Sequence, residues 1–239
     1  MEWQTIGRVQ VLEELSISDS TQCLRVKLDD DETQSIIPGQ YCLLDDRVQA
    51  ARAFNYVSLP GRDRRCILAA SPHGVPLRTD GPLLYRGPLG VGWPLPFGVS
   101  RLLVFACVDG ILAVAAAIDE FACWLPWVQL VLVEDASSQA CLPDDCRRWL
   151  HSLGLLIPPV EDCPLERLRA QLSLQLPDLV YCSAPAPLAL KAARLCLWHG
   201  VPAYRIWIRA ECSLPGAGNA SLPAADGPVL RFDRLSGRI

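Results

Sequence analysis

Hydrophobic and polar positions follow different patterns in the two halves of this 239-residue chain. Up to about residue 98, short alternating or apolar runs are separated by polar segments rich in turn-forming residues. Several short strands at this spacing, without a long helical pattern among them, are typical of an antiparallel barrel or sandwich. We therefore predict an antiparallel β-barrel over residues 1–98. The strand-like runs are IGRVQVLEEL, QCLRVKL, YCLLD, NYVSL and RCILAA.

Residues 99–211 alternate instead between apolar strand-like runs and helical patterns. Strands separated by helices indicate a parallel sheet with right-handed crossovers, so we predict a Rossmann-like α/β domain here. Gly200 follows the last long helical pattern and is expected to end it in the left-handed conformation. The strand-like runs are LLVFAC, VQLVLVED and DLVYCSA, and the helical runs are ILAVAAAIDEFACW, PDDCRRWLHSL, PLERLRAQLSL and PLALKAARLCLWHG.

Bulk composition excludes several classes of protein. Hydrophobic residues make up 51% and charged residues 20% of the chain, which is a globular composition. A net charge of -4 without a basic cluster argues against nucleic acid as the main partner. The apolar run 102–118 is short for a membrane span and contains Asp109, so we predict no transmembrane segment. The N-terminus lacks a signal-peptide pattern.

The 11 cysteines are scattered without a Cys-x-x-Cys pair and indicate neither a metal site nor a disulfide framework. Many lie in apolar runs, where a small buried thiol is the expected role. This many free thiols favours a reducing compartment, so we predict a cytoplasmic protein. The cysteines in apolar runs are Cys66, Cys107, Cys123, Cys182 and Cys196.

Three motifs occur in a fixed order: PGQY at residues 38–41, RAFNYVS at 52–58 and GPLGVGWPL at 87–95. In this order, followed by a strand-turn-helix unit, they resemble the ferredoxin-NADP reductase superfamily. The resemblance is closest to the electron-transfer subunits that accompany dihydroorotate dehydrogenase, sulfhydrogenase and sulfite reductase, and it covers roughly residues 3–212. It implies an N-terminal flavin barrel, a nucleotide domain and an iron–sulfur tail.

The resemblance also implies roles for residues of the second motif. Arg52 would pair with a flavin phosphate, because a fixed cationic fork suits an anion, and Phe54 would lie against the isoalloxazine ring. Asn55 stands where the family has Ser or Thr near flavin N5. From the residues alone, a surface arginine beside a core aromatic is the alternative. The expected cofactor is FAD, and its candidate binding residues are Arg52, Phe54, Asn55, Ser58, Gly74, Gly87 and Gly90.

The chain departs from the family at its phosphate-binding segments. A Gly-x-Gly-Thr-like segment that holds the flavin phosphates is replaced by the short stretch SPHGVPLR, residues 71–78, where His73 or Arg78 would be its partial substitute. The nucleotide turn reads ACVDG, residues 106–110, with one glycine. Asp109 would oppose a pyrophosphate there at a cost of about 1–4 kcal/mol per close charge pair.

The second nucleotide contact of the family, a Cys-Gly-Pro-x-Pro-Met segment, corresponds to CSAPAPL at residues 182–188, which lacks the glycine. We therefore predict that NAD(P)H does not bind. In the tail, residues 212–239, only Cys212 remains of the four cysteines that hold a [2Fe–2S] cluster in the family, so no cluster is expected. A short strand from Val229 to Phe232 is possible within this tail.

The helical run that starts near Ile111 is apolar nearly all round. Together with five tryptophans, it either forms ordinary core or leaves an apolar surface that faces another protein. We expect other subunits of a redox complex to bind through this Trp-rich second domain. The tryptophans are Trp124, Trp127, Trp149, Trp198 and Trp207.

Three functions remain open at this point. The first is a flavin-binding electron-transfer subunit of a larger oxidoreductase that does not take hydride from a nicotinamide itself. The second is a structural or docking subunit that has kept the fold and holds no cofactor. The third is an active NAD(P)H-dependent flavin reductase. No order of Ser, His, Asp or Cys indicates a catalytic residue of the hydrolase type.

Overall fold

The computed structural model describes residues 7–18, 21–29, 35–70, 75–133, 144–155, 163–211 and 229–235. Six strands form a closed antiparallel barrel in the order β1-β2-β5-β4-β3-β6. Closure leaves these strands without a free edge, and their inward side chains fill the interior. The strands are β1 (Gly7–Ser18), β2 (Thr21–Leu28), β3 (Tyr41–Asp45), β4 (Arg52–Tyr56), β5 (Arg65–Ala70) and β6 (Leu83–Leu89).

A second sheet of five strands follows in the order β11-β10-β9-β7-β8. Four of its strands are parallel, and β11 pairs antiparallel with β10. The barrel and this α/β sheet confirm the predicted fold class. The strands are β7 (Arg101–Cys107), β8 (Trp127–Val133), β9 (Leu179–Pro185), β10 (Ile206–Glu211) and β11 (Val229–Arg231).

The helices lie close to the predicted patterns. Helix α1 begins earlier than its pattern, and α4 ends at a left-handed Gly200 with φ +98°, as predicted. The short strand expected near Val229 is β11, so the predicted tail contributes to the sheet of the second domain. The helices are α1 (Val108–Ala122), α2 (Asp144–Ser152), α3 (Pro164–Leu174), α4 (Ala186–Trp198) and α5 (Phe232–Leu235), with a 3-10 helix at Ala203–Arg205.

The apolar character of α1 follows from its position between the sheet and the barrel. The helix shares one buried cluster with strands β7 and β9 and with Cys23 and Ala69 of the barrel. Trp93, which follows the barrel, is also buried in this cluster and donates from Nε1 to the carbonyl of Ala113 at 3.0 Å. The apolar side chains around α1 therefore pack on one side against the parallel sheet and on the other against the barrel, as part of the buried core.

The five tryptophans of the second domain divide into two groups. Trp127, Trp149 and Trp207 are partly buried against the cores, whereas Trp124 and Trp198 are largely exposed. No helix among the described residues is long and apolar enough to cross a membrane.

The structure describes the side chains of eight cysteines, all of which are free thiols, and five of them are buried. Cys123 differs from its prediction because it follows the last turn of α1, where its side chain is exposed. Cys107 is half-buried at the end of β7. Within the described ranges, no group of His, Cys, Asp or Glu side chains could hold a metal ion. Cys212 lies outside the described residues.

Candidate functional site: the two expected cofactor positions

The first expected position is the carboxyl edge of the parallel sheet. Strand β7 lies between β8 and β9, so the chain leaves β7 toward one side and later returns on the other. In open α/β sheets, ligands bind outside the carboxyl ends of the strands at such a switch point. A nucleotide at this switch point would therefore contact the end of β7 with the start of α1, and the end of β9 with the start of α4.

The structure has no turn between β7 and α1. Strand β7 ends at Cys107 and α1 begins at Val108, which corrects the prediction of a helix starting near Ile111 after a short turn. Cys107 has extended backbone angles and caps the helix, because its Sγ accepts from the N–H of Gly110 at 3.1 Å. A backbone N–H that a nucleotide phosphate would need is therefore bonded within the chain. The carboxylate of Asp109 lies outside the described part of the structure.

Gly110 brings α1 into direct contact with β9. A Cβ added at Gly110 would lie 1.9 Å from the carbonyl oxygen of Ser183, so only glycine fits without a shift of the backbone. The fully buried Ser183 donates from Oγ to the carbonyl of Gly110 at 2.9 Å. The one glycine of this segment thus permits close packing of α1 against β9 at the carboxyl edge of the sheet.

The second nucleotide segment, residues 182–188, is also built into regular structure. Cys182, Ser183 and Ala184 are buried in β9, and α4 begins at Ala186 directly after the strand. Prolines precede and enter the first turn of α4, and a proline has no N–H to offer an anion. Burial raises the pKa of the Cys182 thiol well above its ordinary value, with Cys196 nearby as a further cause. This thiol stays protonated and packs as an apolar group.

The second expected position is strand β4 of the barrel. Phe54 is 0% exposed and lies opposite Cys42 and Ala70, which belong with it to the barrel core. Asn55 points to the other face, where its neighbour Ala69 belongs to the core shared with α1. Successive side chains of a strand face opposite sides. The structure therefore does not bring Phe54 and Asn55 to one surface, and the ring of Phe54 has no face open to a ligand.

Arg52 takes part in a network that closes one end of the barrel. Its Nη1 donates to the carbonyl of Val75 at 3.2 Å and lies 3.5 Å from Oε1 of Gln22. Gln22 is buried and binds Leu77 twice, accepting from its N–H and donating to its carbonyl, both at 2.9 Å. Thr79 donates to Glu14 at 3.4 Å on the same side. We call residues 75–79 with Gln22 and Arg52 the barrel-end plug.

Electrostatics at this end agree with a structural role for Arg52. Its guanidinium stands over the ring of Phe54, with Cζ 5.9 Å from the ring centroid, and burial lowers the pKa of the arginine. Inside the barrel, burial raises the pKa of the Cys66 thiol to about 12. The Tyr56 and Tyr85 hydroxyls share a hydrogen bond there, and burial raises the pKa of Tyr56 strongly. The barrel interior is a neutral, self-bonded core.

The remaining predicted flavin residues have partners of their own. Ser58 accepts at Oγ from the N–H of Ile67 at 3.0 Å. A Cβ on Gly87 would meet Cys42, Tyr85 and Tyr56 at 2.8 to 2.9 Å, so this glycine permits close packing in the barrel. Gly90 adopts φ +82° and accepts at its carbonyl from Nε2 of Gln40 at 2.8 Å. Gly74 and His73 lie outside the described residues.

The two groups expected to contact a flavin are engaged in contacts within the chain. The ring that would be its wall is buried, and the arginine that would hold its phosphate is bonded to Val75 and Gln22. The barrel-end plug therefore stands where a cofactor phosphate was expected.

Comparisons with solved structures identify the architecture. The chain is similar to the ferredoxin reductase of a carbazole 1,9a-dioxygenase, with a TM-score of 0.69 and 16% identity over 85% of this chain and 68% of that one. It is similar over its whole length to an NADH-dependent reduced ferredoxin-NADP oxidoreductase, with a TM-score of 0.70, 14% identity and 94% of that chain covered. A flavohemoglobin from Malassezia yamatoensis with bound FAD and heme gives a TM-score of 0.66 and 14% identity, over 85% of this chain and 59% of that one.

No protein-family model matches the chain, and no curated protein matches it in sequence. The fold is nevertheless similar to that of these ferredoxin reductase-like proteins, as the resemblance of the three sequence motifs predicts. Similarity at 14 to 16% identity establishes the architecture, and the cofactor positions depend on the contacts described above.

Proposed function

We propose that this chain is an accessory subunit of a larger oxidoreductase, built on the ferredoxin reductase fold and placed beside subunits that carry out the redox chemistry. The proposal is supported by contacts within the chain at both positions where the resemblance to the family would place a cofactor. Gly110 and Ser183 close the first, and the barrel-end plug closes the second.

The absence of a nicotinamide site is part of this proposal. A pyrophosphate needs free backbone N–H groups at a helix N-terminus and a glycine turn that lets it approach. Here the N–H of Gly110 donates to Sγ of Cys107, and α1 begins directly after β7 without a turn. Ser183 fills the space that a phosphate would enter next to α1. Hydride transfer from NADH or NADPH would therefore belong to another subunit.

Within this role, the contacts favour the version without a bound flavin. In the family-like pose, a flavin phosphate would have to compete with the carbonyl of Val75 for Arg52, and the isoalloxazine would need the buried Phe54. Exposing these groups would break the hydrogen bonds of Gln22 with Leu77, each worth about 1 kcal/mol. The chain then acts through its surface, by positioning or docking its partners.

The second candidate is an electron-transfer subunit that carries FAD. It is favoured by the similarity to reductases and to a flavohemoglobin with bound FAD, and by the retained segment 87–92 with its left-handed Gly90 and Gly92. It requires that residues 75–79 leave the end of the barrel and that Arg52 release Val75. Flavin would then transfer electrons between partner subunits.

Purification of the full chain with its native partners tests the proposal. We expect co-purification with redox subunits, and no flavin in the fraction of this chain after the complex is separated and denatured. Flavin released in a one-to-one ratio with this chain would select the second candidate. Steady NADH or NADPH oxidation by the isolated chain would overturn the proposal and establish a self-sufficient flavin reductase.

A further inference from the structure

Exposed apolar side chains gather at the amino edge of the parallel sheet, opposite the closed crevice. Helices α3 and α4 each return the chain to the start of a parallel strand, so both end at this edge. The two helices pack against each other. Trp198 is 87% and Leu174 79% exposed at their last turns. The other large apolar groups exposed there are Leu176, Leu197 and Tyr204.

Helix α4 gives this surface a positive charge. Lys191, Arg194 and Trp198 follow the helical spacing i, i+3 and i+7, so they form one exposed stripe, while alanines and Cys196 face the core. The helix contains no acidic residue. Arg205 lies beside it, with Cζ 5.7 Å from the ring of Tyr204. The α4 surface consists of eight residues on α3, α4, the 3-10 helix and the segment after α3: Leu174, Leu176, Lys191, Arg194, Leu197, Trp198, Tyr204 and Arg205.

The positive charges of the α4 surface are not neutralised locally. Among the described residues, neither Lys191 nor Arg194 has a carboxylate partner. Asp178, at the start of β9, is bonded to Arg101 at 2.9 Å, and Asp233 to Arg231 at 2.7 Å. This surface is therefore cationic although the whole chain has a net charge of -4. Its exposed Trp, Leu and Tyr groups are of the types that anchor protein interfaces.

We propose that the α4 surface binds a partner protein of the same redox complex that presents an apolar centre ringed by carboxylates. This proposal rests on the proposed role as an accessory subunit and names the chemistry of its partner. Complementary charges would steer and orient the encounter, while Trp198 and Leu174 would supply buried apolar area. A second copy docking through the same face would oppose Lys191 and Arg194 to like charges, which disfavours a symmetric dimer.

Site-specific photo-crosslinking in the native cell tests the α4 surface. Trp198 is replaced by the photoreactive residue benzoylphenylalanine, and crosslinked peptides are identified by mass spectrometry. We expect crosslinks to one redox subunit, at a peptide with Asp or Glu close to the attachment point. The same substitution at the exposed Val48 of the barrel is the control and should not capture this subunit.

Charge reversal separates docking from chance capture. Lys191→Glu with Arg194→Glu should reduce the crosslink yield at least tenfold, and added salt should lower it in the unaltered chain. Lys27→Glu with Arg62→Glu changes the net charge equally at exposed positions of the barrel and should leave the yield unchanged. Crosslinks to a second copy or to lipid would overturn the proposal that the α4 surface binds a redox subunit. A crosslink yield that is unchanged in the Lys191→Glu, Arg194→Glu variant would also overturn it.

The same preparation keeps the two proposals distinguishable. Suppose that the chain is colourless and that position 198 gives no crosslink to a redox subunit. This result overturns the docking role of the α4 surface, but it agrees with the proposal that the chain holds no cofactor. A chain that releases bound flavin overturns the version of the proposed function without a cofactor, whatever the crosslinks show.

Discussion

The two edges of the parallel sheet use their side chains in opposite ways. At the carboxyl edge, Cys107, Gly110 and Ser183 bond and pack with one another, and Ser183 is fully buried. At the amino edge, Trp198 and Leu174 are mostly in solvent. In doubly wound sheets the carboxyl edge is the one that binds ligands. Under the proposed function, the contacts at the carboxyl edge serve packing, and the opposite edge holds the groups suited to contact another molecule.

The proposed function implies that the fold remains while the edge that would bind a ligand is used for packing. Close packing of α1 on β9 stabilises the domain through the same groups that would otherwise face a pyrophosphate. The barrel-end plug repeats the pattern, because Arg52 and Gln22 hold the chain's own segment 75–79.

The largest expected effect comes from Gly110→Ala at the carboxyl edge. Alanine normally stabilises a helix relative to glycine by about 1 kcal/mol. At this position its Cβ would lie 1.9 Å from the Ser183 carbonyl oxygen, so we expect a loss of about 3 kcal/mol in the free energy of unfolding. Urea unfolding measures it, with Gly81→Ala as control because no atom lies within 4 Å there. A more stable Gly110→Ala variant would contradict the closed crevice.

At the amino edge, Asp178→Asn should cost about 2 kcal/mol at neutral pH, because charge-assisted hydrogen bonds are lost. The carboxylate accepts from Arg101 and Ser100, and Arg101 foremost holds the pKa of Asp178 well below its usual range. Because the pKa of Asp178 is lower in the folded than in the unfolded protein, its carboxylate stabilises the folded state at pH values above the unfolded pKa of about 3.9. This stabilisation is lost as the pH falls toward the folded-state pKa. The difference in free energy of unfolding between the unaltered chain and Asp178→Asn should therefore become smaller below about pH 4.

Unfolding curves from neutral to acidic pH measure this gap. Asp80→Asn, at an exposed carboxylate, is the control and should change the free energy of unfolding by less than about 0.5 kcal/mol. A gap for Asp178→Asn that stays constant or widens toward low pH would show that the Arg101 contact does not act as described.

A smaller loss is expected from Gln22→Ala in the barrel-end plug. The substitution removes both hydrogen bonds to Leu77, and we expect about 1–2 kcal/mol of destabilisation. Gln49→Ala is the matched control, since the side chain of Gln49 makes one long contact of 3.3 Å to Pro76. Thermal and urea unfolding report the difference. Equal effects of the two substitutions would argue against Gln22 as the centre of the plug.

The smallest effect on stability is expected at the α4 surface. Trp198→Ala removes a side chain that is 87% exposed, so the free energy of unfolding should change by less than about 0.5 kcal/mol. Retention of the redox subunit during purification should nevertheless fall. Destabilisation by more than about 1 kcal/mol would place Trp198 in the core of the isolated chain and remove it as a docking residue.

Much of the fold follows from periodicity in the sequence. Helix α3 has the bounds that its pattern predicts, and β7 and β9 differ by one residue at each end at most. Strand β6 was missed because its segment contains Gly-Pro, which is typical of a turn, and β10 because its six residues directly follow a helix and a short turn.

The site was harder to predict because orientation depends on strand register. The motif at 52–58 correctly marks a special segment, but strand β4 runs from Arg52 to Tyr56 rather than over the predicted residues 55–59. Pairing with β3 and β5 then turns Phe54 into the barrel and Asn55 away from it. Contact between Gly110 and Ser183 joins residues far apart in sequence, so no local pattern contained it.

Equilibrium dialysis of the isolated full chain against FAD and against FMN tests the central claim most directly. Because the barrel-end plug occupies the expected phosphate position, we predict no saturable flavin binding by the unaltered chain, and the same for Arg52→Ala. One equivalent of flavin bound per chain, weakened in Arg52→Ala, would show that Arg52 holds a flavin phosphate and would contradict the account.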